Sequence, residues 1–182
     1  MKLFLVRHGQ TDWNVLKKKQ GRTDIPLNET GREQARELRD KIKDLEFDVC
    51  IASPLSRAYE TAKIITGGER EILTDERLVE RCFGEFEGMK NEDFDRLNSG
   101  VDVWGRKKNF SERGTESARE ILVRAKGVVE DLKQKYPEDC RILVVAHGSF
   151  LKAMYFELVG YDDETDFHSV SFKNAEMKEV EV

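Results

Sequence analysis

An α/β fold is what this sequence predicts: a three-layer α/β/α sandwich around a mostly parallel central sheet. Three short, mainly apolar runs supply the strands: Leu3-Phe4-Leu5-Val6, Asp48-Val49-Cys50-Ile51-Ala52 and Ile142-Leu143-Val144-Val145-Ala146. Such near-continuous runs suit strands buried on both faces. Amphipathic helical patterns separate them, and that alternation stacks helices on both sides of one sheet. Each run also stops in a polar cluster: Arg7-His8-Gly9, Ser53-Pro54-Leu55-Ser56-Arg57 and His147-Gly148-Ser149. Open parallel sheets bind ligands just beyond the carboxyl ends of their strands, so chemistry is expected on that rim.

The first strand runs into a polar stretch, Gln10 to Asn28, that reads as a loop; Lys17-Lys18-Lys19 within it reads as a solvated face. Thr30-Gly31-Arg32-Glu33 fits a capping box, and Ala35, Leu38, Ile42 and Leu45 follow at helical spacing. A second helix starts near Pro54, with Leu55, Ala58, Ala62 and Ile65 as its apolar stripe, and Gly67-Gly68 ends it. Glu71-Ile72-Leu73 reads as a short edge strand. A short helix is expected near 91–98, then a loop over 99–114 lying across the active rim. The long helix opens on Ser117-Ala118-Arg119-Glu120, a second capping box, and buries Ile121, Leu122, Ala125, Val128, Val129 and Leu132. A last helix spans about 149–159, stopped by Gly160. The tail alternates loosely and breaks at Lys173-Asn174-Ala175, which predicts a terminal hairpin or two edge strands.

With 182 residues, one domain over 1–182 is the natural reading. Apolar residues at 38% and charged residues at 37% describe a globular chain with a heavily charged surface. A net charge of −5 argues against nucleic acid or an anionic membrane as partner, while a local arginine cluster leaves a small anionic substrate open. The first apolar run is too short for a signal peptide, and no stretch approaches the roughly 18 apolar residues of a membrane span. Cys50, Cys82 and Cys140 are odd in number and lack CxxC spacing, which argues against a disulfide framework and against a metal site. A reduced, cytoplasmic protein is expected.

A lone histidine at a strand end is more often structural. Here two of the chain's three histidines take equivalent strand-end positions followed by glycine, and Arg7 stands beside the first of them. If Arg7, His8, Arg57 and His147 meet, two forked guanidiniums can hold a phosphoryl group. Neighbouring cations keep His8 unprotonated and nucleophilic, with a backbone carbonyl as the cheapest partner to fix its tautomer. His147 and the helix amides after Gly148 can donate to phosphoryl oxygens. There is no P-loop and no carboxylate set at metal spacing, so no metal and no cofactor is expected.

These residues resemble a known family, the phosphoglycerate mutase-like "branch 1" of the histidine phosphatase superfamily. Arg7 to Asn14 is similar to its R-H-G-x-T-x-W-N signature, and Asp24 to Leu27 through Gly31 to Ala35 to its D-x-P-L-t-x-x-G-x-x-Q-A segment. Ser53 to Ala58 with Thr61-Ala62 resembles S-x-L-x-R-A-x-x-T-A, Glu80 to Gly84 with Glu87-Gly88 resembles E-x-x-x-G-x-x-E-G, and Gly114 to Ser117 resembles G-x-E-S. His147-Gly148 completes an ordered series covering most of the chain up to about residue 150.

The resemblance implies the phosphoglycerate mutase-like fold and a phosphohistidine on His8. Arg7, Arg57 and His147 would bind the transferring group, and Asn14, Gln20 and Gly148 would line the phosphate or substrate side. Glu80 reads from the residues alone as a surface ion pair with Arg81. Only the resemblance makes it the general acid and then the base. Arg81 stays unassigned. Trp13 and Trp104 can equally line the pocket or pack in loops, and His168 matches no motif.

The leading function is a metal-independent phosphatase of small phosphomonoesters. The alternatives are a cofactor-dependent phosphoglycerate mutase and a non-catalytic phospholigand-binding protein. Mutases of the family carry a longer insertion with paired arginines between the acid and the second histidine. Here 67 positions separate Glu80 from His147, short for a mutase, although Arg106-Lys107-Lys108 falls among them. The substrate and the oligomeric state stay open.

Overall fold

The computed structural model describes residues 1–97, 113–162, 164–167 and 169–182. Five strands, β1 (Lys2–Arg7), β2 (Val49–Ala52), β3 (Leu73–Thr74), β4 (Arg141–Ala146) and β5 (Met177–Glu181), form one sheet in the order β3-β2-β4-β1-β5. All neighbours are parallel except β5, which runs antiparallel to β1. The alternation of side chains along a strand explains the unbroken apolar runs, because both faces are covered. Leu3, Leu5, Ile142 and Val144 pack on one side against helices α5 (Ala118–Lys135) and α6 (Gly148–Val159). Phe4, Val6, Leu143 and Val145 pack on the other against α2 (Glu29–Lys41) and α3 (Ser56–Ile65). The expected α/β sandwich is therefore present. No helix among the described residues is long and apolar enough to cross a membrane.

What matters for the site is the register of the central pair. Arg7 on β1 lies opposite Ala146 on β4, so the residues that follow, His8 and His147, leave the sheet side by side. β2 ends in the same plane, with Ala52 opposite Val145. Its chain turns through Ser53 into α3, whose first turn carries Arg57. That helix has no side-chain cap of its own. Asp24 substitutes from a distant loop, accepting hydrogen bonds from the Ser56 amide at 2.9 Å and the Ser56 hydroxyl at 2.8 Å.

Three local expectations change. α2 begins before the Thr30 capping box, because Asn28 is the N-cap and its Oδ1 accepts from the Gly31 amide at 2.9 Å. The polar loop after β1 contains a one-turn helix, α1 (Asp12–Val15), closed by a reciprocal capping box between Thr11 and Asn14. Four residues are too few to show a helical period. The tail makes one strand, β5, not a hairpin. Phe172 is buried in the core instead, and Ala175 takes a left-handed φ of 52° that turns the chain onto β1. The short helix expected near 91–98 is α4 (Asn91–Leu97). The loop expected over 99–114 lies outside the described residues except for its last two positions, and Trp104, Arg106-Lys107-Lys108 and His168 lie outside them as well.

β1 leaves the sheet so close to α2 that a Cβ on Gly9 would strike the Gly31 carbonyl, and one on Gly31 would strike the Gln10 backbone. Two glycines facing each other let the end of β1 lie against α2.

Candidate active site

A cavity of about 260 Å³ opens at the carboxyl end of the sheet. Arg7, His8, Asn14, Gln20, Arg57, Glu80 and Gly148 all line it, so seven of the eight site residues read from the sequence meet there. His8 is buried, and its Nδ1 lies 2.7 Å from the Gly9 carbonyl. A carbonyl only accepts, so Nδ1 carries the proton and Nε2 keeps the lone pair. Burial pushes the His8 pKa well below the ordinary imidazole value, and the Arg7 and Arg57 guanidiniums push it further, against a smaller opposing effect of the Gly9 carbonyl. A neutral imidazole with a free lone pair is the nucleophilic form.

Both arginines are anchored through backbone oxygens and keep donors in hand. Arg7 gives one Nη1 hydrogen bond to the Phe172 carbonyl at 2.7 Å, and its Nε is buried without a partner. Arg57 is fully buried and donates from Nη1 to the Thr23 carbonyl and from Nη2 to the Gly21 carbonyl, each at 2.8 Å. Its Nε donates to His147 Nδ1 at 3.3 Å. A guanidinium has five N–H donors, which leaves two on the outer nitrogens of Arg57 for a ligand.

His147 stands one layer back. It is fully buried, its ring centroid is 5.2 Å from that of His8, and it is not part of the cavity wall. Its Nδ1 accepts from Arg57, and its Nε2 lies 2.8 Å from the Ser53 hydroxyl. Direct donation to a phosphoryl oxygen therefore needs one of these partners exchanged. Burial lowers the His147 pKa well below normal, with Arg57, His8, Arg7 and Arg124 adding to it.

The helix amides are also differently used. Ser149 and Phe150 at the start of α6 donate to the Glu80 carboxylate at 3.1 Å, and the Arg81 amide does so at 2.9 Å. The surface ion pair with Arg81 is not what holds Glu80; Arg81 turns its Nε to the Glu116 carbonyl at 2.7 Å. The segment carrying Glu80 is fixed from below by Arg124, which donates to the Arg77 and Val79 carbonyls and pairs with the Glu116 carboxylate at 2.7 Å. Glu87 ties down the facing loop, accepting from the amides of Arg22, Thr23 and Phe83. A Cβ on Gly21, whose φ is +55°, would collide with that carboxylate. Among the described residues, no three His, Cys, Asp or Glu side chains are grouped to hold a metal ion.

The histidine phosphatase superfamily (branch 1) model matches this sequence over residues 3–182. The chain belongs to that superfamily. PhoE of Bacillus subtilis (strain 168), an uncharacterized phosphatase, is 37% identical over 181 residues, covering 97% of this chain and 86% of its own. A 2,3-bisphosphoglycerate-dependent phosphoglycerate mutase of Methylobacterium sp. (strain 4-46) is 35% identical, with 90% and 83% covered. Phosphoserine phosphatase of Entamoeba histolytica, solved with 3-phosphoglyceric acid, superposes with a TM-score of 0.83 at 32% identity, covering 98% of this chain and 89% of that one. Relatives within the superfamily thus include both phosphatases and mutases.

Several site residues of this superfamily member escaped the sequence reading. Lys18 and Lys19 line the cavity and are not a solvated face; Lys152 from α6, Phe83 and Phe172 join them. Trp13 packs against Gly88 and beneath Lys18, outside the cavity. Asn174 reaches back from the tail and donates from Nδ2 to the carbonyls of His8 (3.1 Å) and Gly9 (3.2 Å). Asn14 spends its Oδ1 on Thr11 and Asn174, so only its amide nitrogen is left for a ligand.

The two depressed histidines carry a stability cost at low pH. In the unfolded chain each titrates near 6.5, whereas in the folded chain each stays neutral well below that. As pH falls through about 6.5, the unfolded state binds protons that the folded state refuses, so stability is lost toward acid; above it these groups contribute nothing. Each can cost up to about 1.4 kcal/mol per pH unit in that window. Urea midpoints between pH 6.5 and 5.5 should therefore fall more steeply for the wild type than for His8→Ala. Equal slopes would mean that folded His8 takes up the proton.

Proposed function

We propose that this chain is a metal-independent phosphomonoesterase that works through a phosphohistidine on His8. The observation that carries the reading is His8 itself. Its Nδ1–H is committed to the Gly9 carbonyl, and it sits in the wall of a cavity between two guanidiniums with donors to spare. In the first step, His8 Nε2 attacks phosphorus and the bond to the leaving oxygen breaks, while Glu80 hands that oxygen a proton. Water then attacks the phosphohistidine, Glu80 takes a proton from it, and the phosphorus–nitrogen bond breaks to restore His8. Arg7 and Arg57 meet the charge on the non-bridging oxygens. His147 orients Arg57, and the resemblance adds a hydrogen bond from it to the phosphoryl group. Asn14, Gln20 and the turn at Gly148 border the substrate.

The mutase reading shares these residues and differs only in the acceptor of the second step, an organic hydroxyl instead of water. A panel of phosphomonoesters assayed for phosphate release in EDTA, with phosphoglycerate interconversion followed in parallel, tests both. Release at rates well above interconversion is expected. Interconversion without release would make the chain a mutase. Release lost in EDTA and restored by magnesium or zinc would show that the charge-stabilising role belongs to a metal.

A further inference from the structure

His8 is followed by the residue least able to hold a backbone in one conformation. Gly9 is required there, because a Cβ would strike the Gly31 carbonyl, and glycine adopts more backbone conformations than any other residue. Yet the Gly9 carbonyl is the acceptor of the His8 Nδ1 proton, at 2.7 Å. The direction of that carbonyl therefore decides which ring nitrogen keeps the lone pair.

Side chains from three separate elements hold the two peptide groups around Gly9. In the His8–Gly9 peptide, the Gly9 N–H donates to the Thr61 hydroxyl at 3.0 Å and the His8 carbonyl accepts from Asn174 Nδ2 at 3.1 Å. In the Gly9–Gln10 peptide, the Gln10 N–H donates to Gln34 Oε1 at 3.0 Å and the Gly9 carbonyl accepts from Asn174 Nδ2 at 3.2 Å. Thr61 on α3 and Gln34 on α2 hold one peptide each. Of the three, Asn174 alone reaches both peptides, and it alone bonds the carbonyl that His8 uses. The direction of its amide is fixed too. Nδ2 also lies 3.2 Å from Asn14 Oδ1, which accepts from the Thr11 amide. Three acceptors thus surround one group, and only the NH2 end of Asn174 suits them.

We propose that Asn174 is a positioning residue that sets the tautomer of His8: it aims the Gly9 carbonyl at Nδ1 and so leaves the lone pair on Nε2. That Nε2 attacks phosphorus rests on the phosphohistidine reading; the tautomer does not. With the Asn174 amide gone, the Gly9–Gln10 peptide is held at one end only, by Gln34. Its carbonyl can turn from the ring, the imidazole proton passes to Nε2, and the lone pair moves to Nδ1, the wrong nitrogen for attack.

Long-range nitrogen–proton NMR correlations on protein labelled with 15N-histidine read the tautomer directly. The His8 signals are those missing from His8→Ala. The wild type should carry the proton on Nδ1. An Nε2–H population should appear in Asn174→Ala and in Asn174→Asp, which keeps the size of the side chain and removes its donors. In both variants the phosphorylation burst should slow about tenfold to a hundredfold, the scale of a misplaced reacting group. Affinity for inorganic phosphate should change little, because the Arg57 anchors do not involve Asn174. Val180→Ala serves as the control: it loosens the packing of β5 in the core and leaves the amide in place, so its tautomer should be that of the wild type. A proton on Nε2 in the wild type, a proton that stays on Nδ1 in both Asn174 variants, or an equal shift in Val180→Ala overturns the proposal. Phosphohistidine is read separately after a rapid quench. If none forms in the wild type while the tautomer still follows Asn174, the nucleophile reading fails and the effect of Asn174 on His8 stands.

Discussion

His8→Ala should lower phosphate release on the order of 10⁴–10⁶-fold, the loss typical of removing a catalytic nucleophile whose partners act with it as a unit. Arg7 and Arg57 would still hold a phosphomonoester in the variant, because their anchors are the carbonyls of Phe172, Thr23 and Gly21, and none involves His8. The defect should therefore appear in turnover and not in binding. After a rapid quench, acid-labile phosphate should be found on the wild type and be missing from the variant. Label on any other side chain would remove His8 from the role of nucleophile.

For Glu80→Gln the expected loss depends on the leaving group. An alkyl phosphate expels a strongly basic alkoxide that needs a proton in the transition state, whereas a nitrophenyl phosphate expels a stabilised phenolate that needs little. General acid catalysis contributes roughly 10²–10⁴-fold, so the phosphorylation burst should fall by about that with the alkyl ester and far less with the nitrophenyl one. Glutamine suits the test because its carbonyl oxygen, in the place of Glu80 Oε1, can still accept from the Ser149 and Phe150 amides that hold the carboxylate. The burst must be read, because breakdown of phosphohistidine also uses Glu80 and slows both esters alike. An equal loss of burst with both esters would mean that Glu80 positions the substrate and another group supplies the proton.

The strand-end residues were legible because the physics that makes a buried parallel strand also marks where it ends. Leu3 to Val6 and Ile142 to Ala146 are apolar on both faces, so the first polar residues after them had to lie on the rim. Arg57 was legible for a related reason, in the first turn of the helix that leaves β2. Glu80 was not. It follows a short 3-10 turn (Glu76–Leu78) in irregular chain, and only the order of family motifs distinguished it from any surface glutamate. The lysines failed differently. Lys19 is buried by Phe83 and Phe94, 64 and 75 positions away in the sequence, and no local pattern encodes that contact. The tail misled because its loose alternation is that of a strand, while a left-handed residue and the Asn174 anchor bend the chain at the point where a hairpin would have paired.

The pairing of β1 with β5 has a consequence for synthesis. β1 is made early, yet it lies between β4 and β5, both of which are made more than a hundred residues later. Its apolar run thus leaves the ribosome as an unpaired edge and stays one until most of the chain has followed. Long-range pairings of this kind slow folding and prolong exposure of sticky strand. The site is completed last of all. Only when Asn174 is present does its side chain clamp the His8 and Gly9 carbonyls from the tail, so a chain cut short before it carries the whole ordered motif series without that clamp on His8.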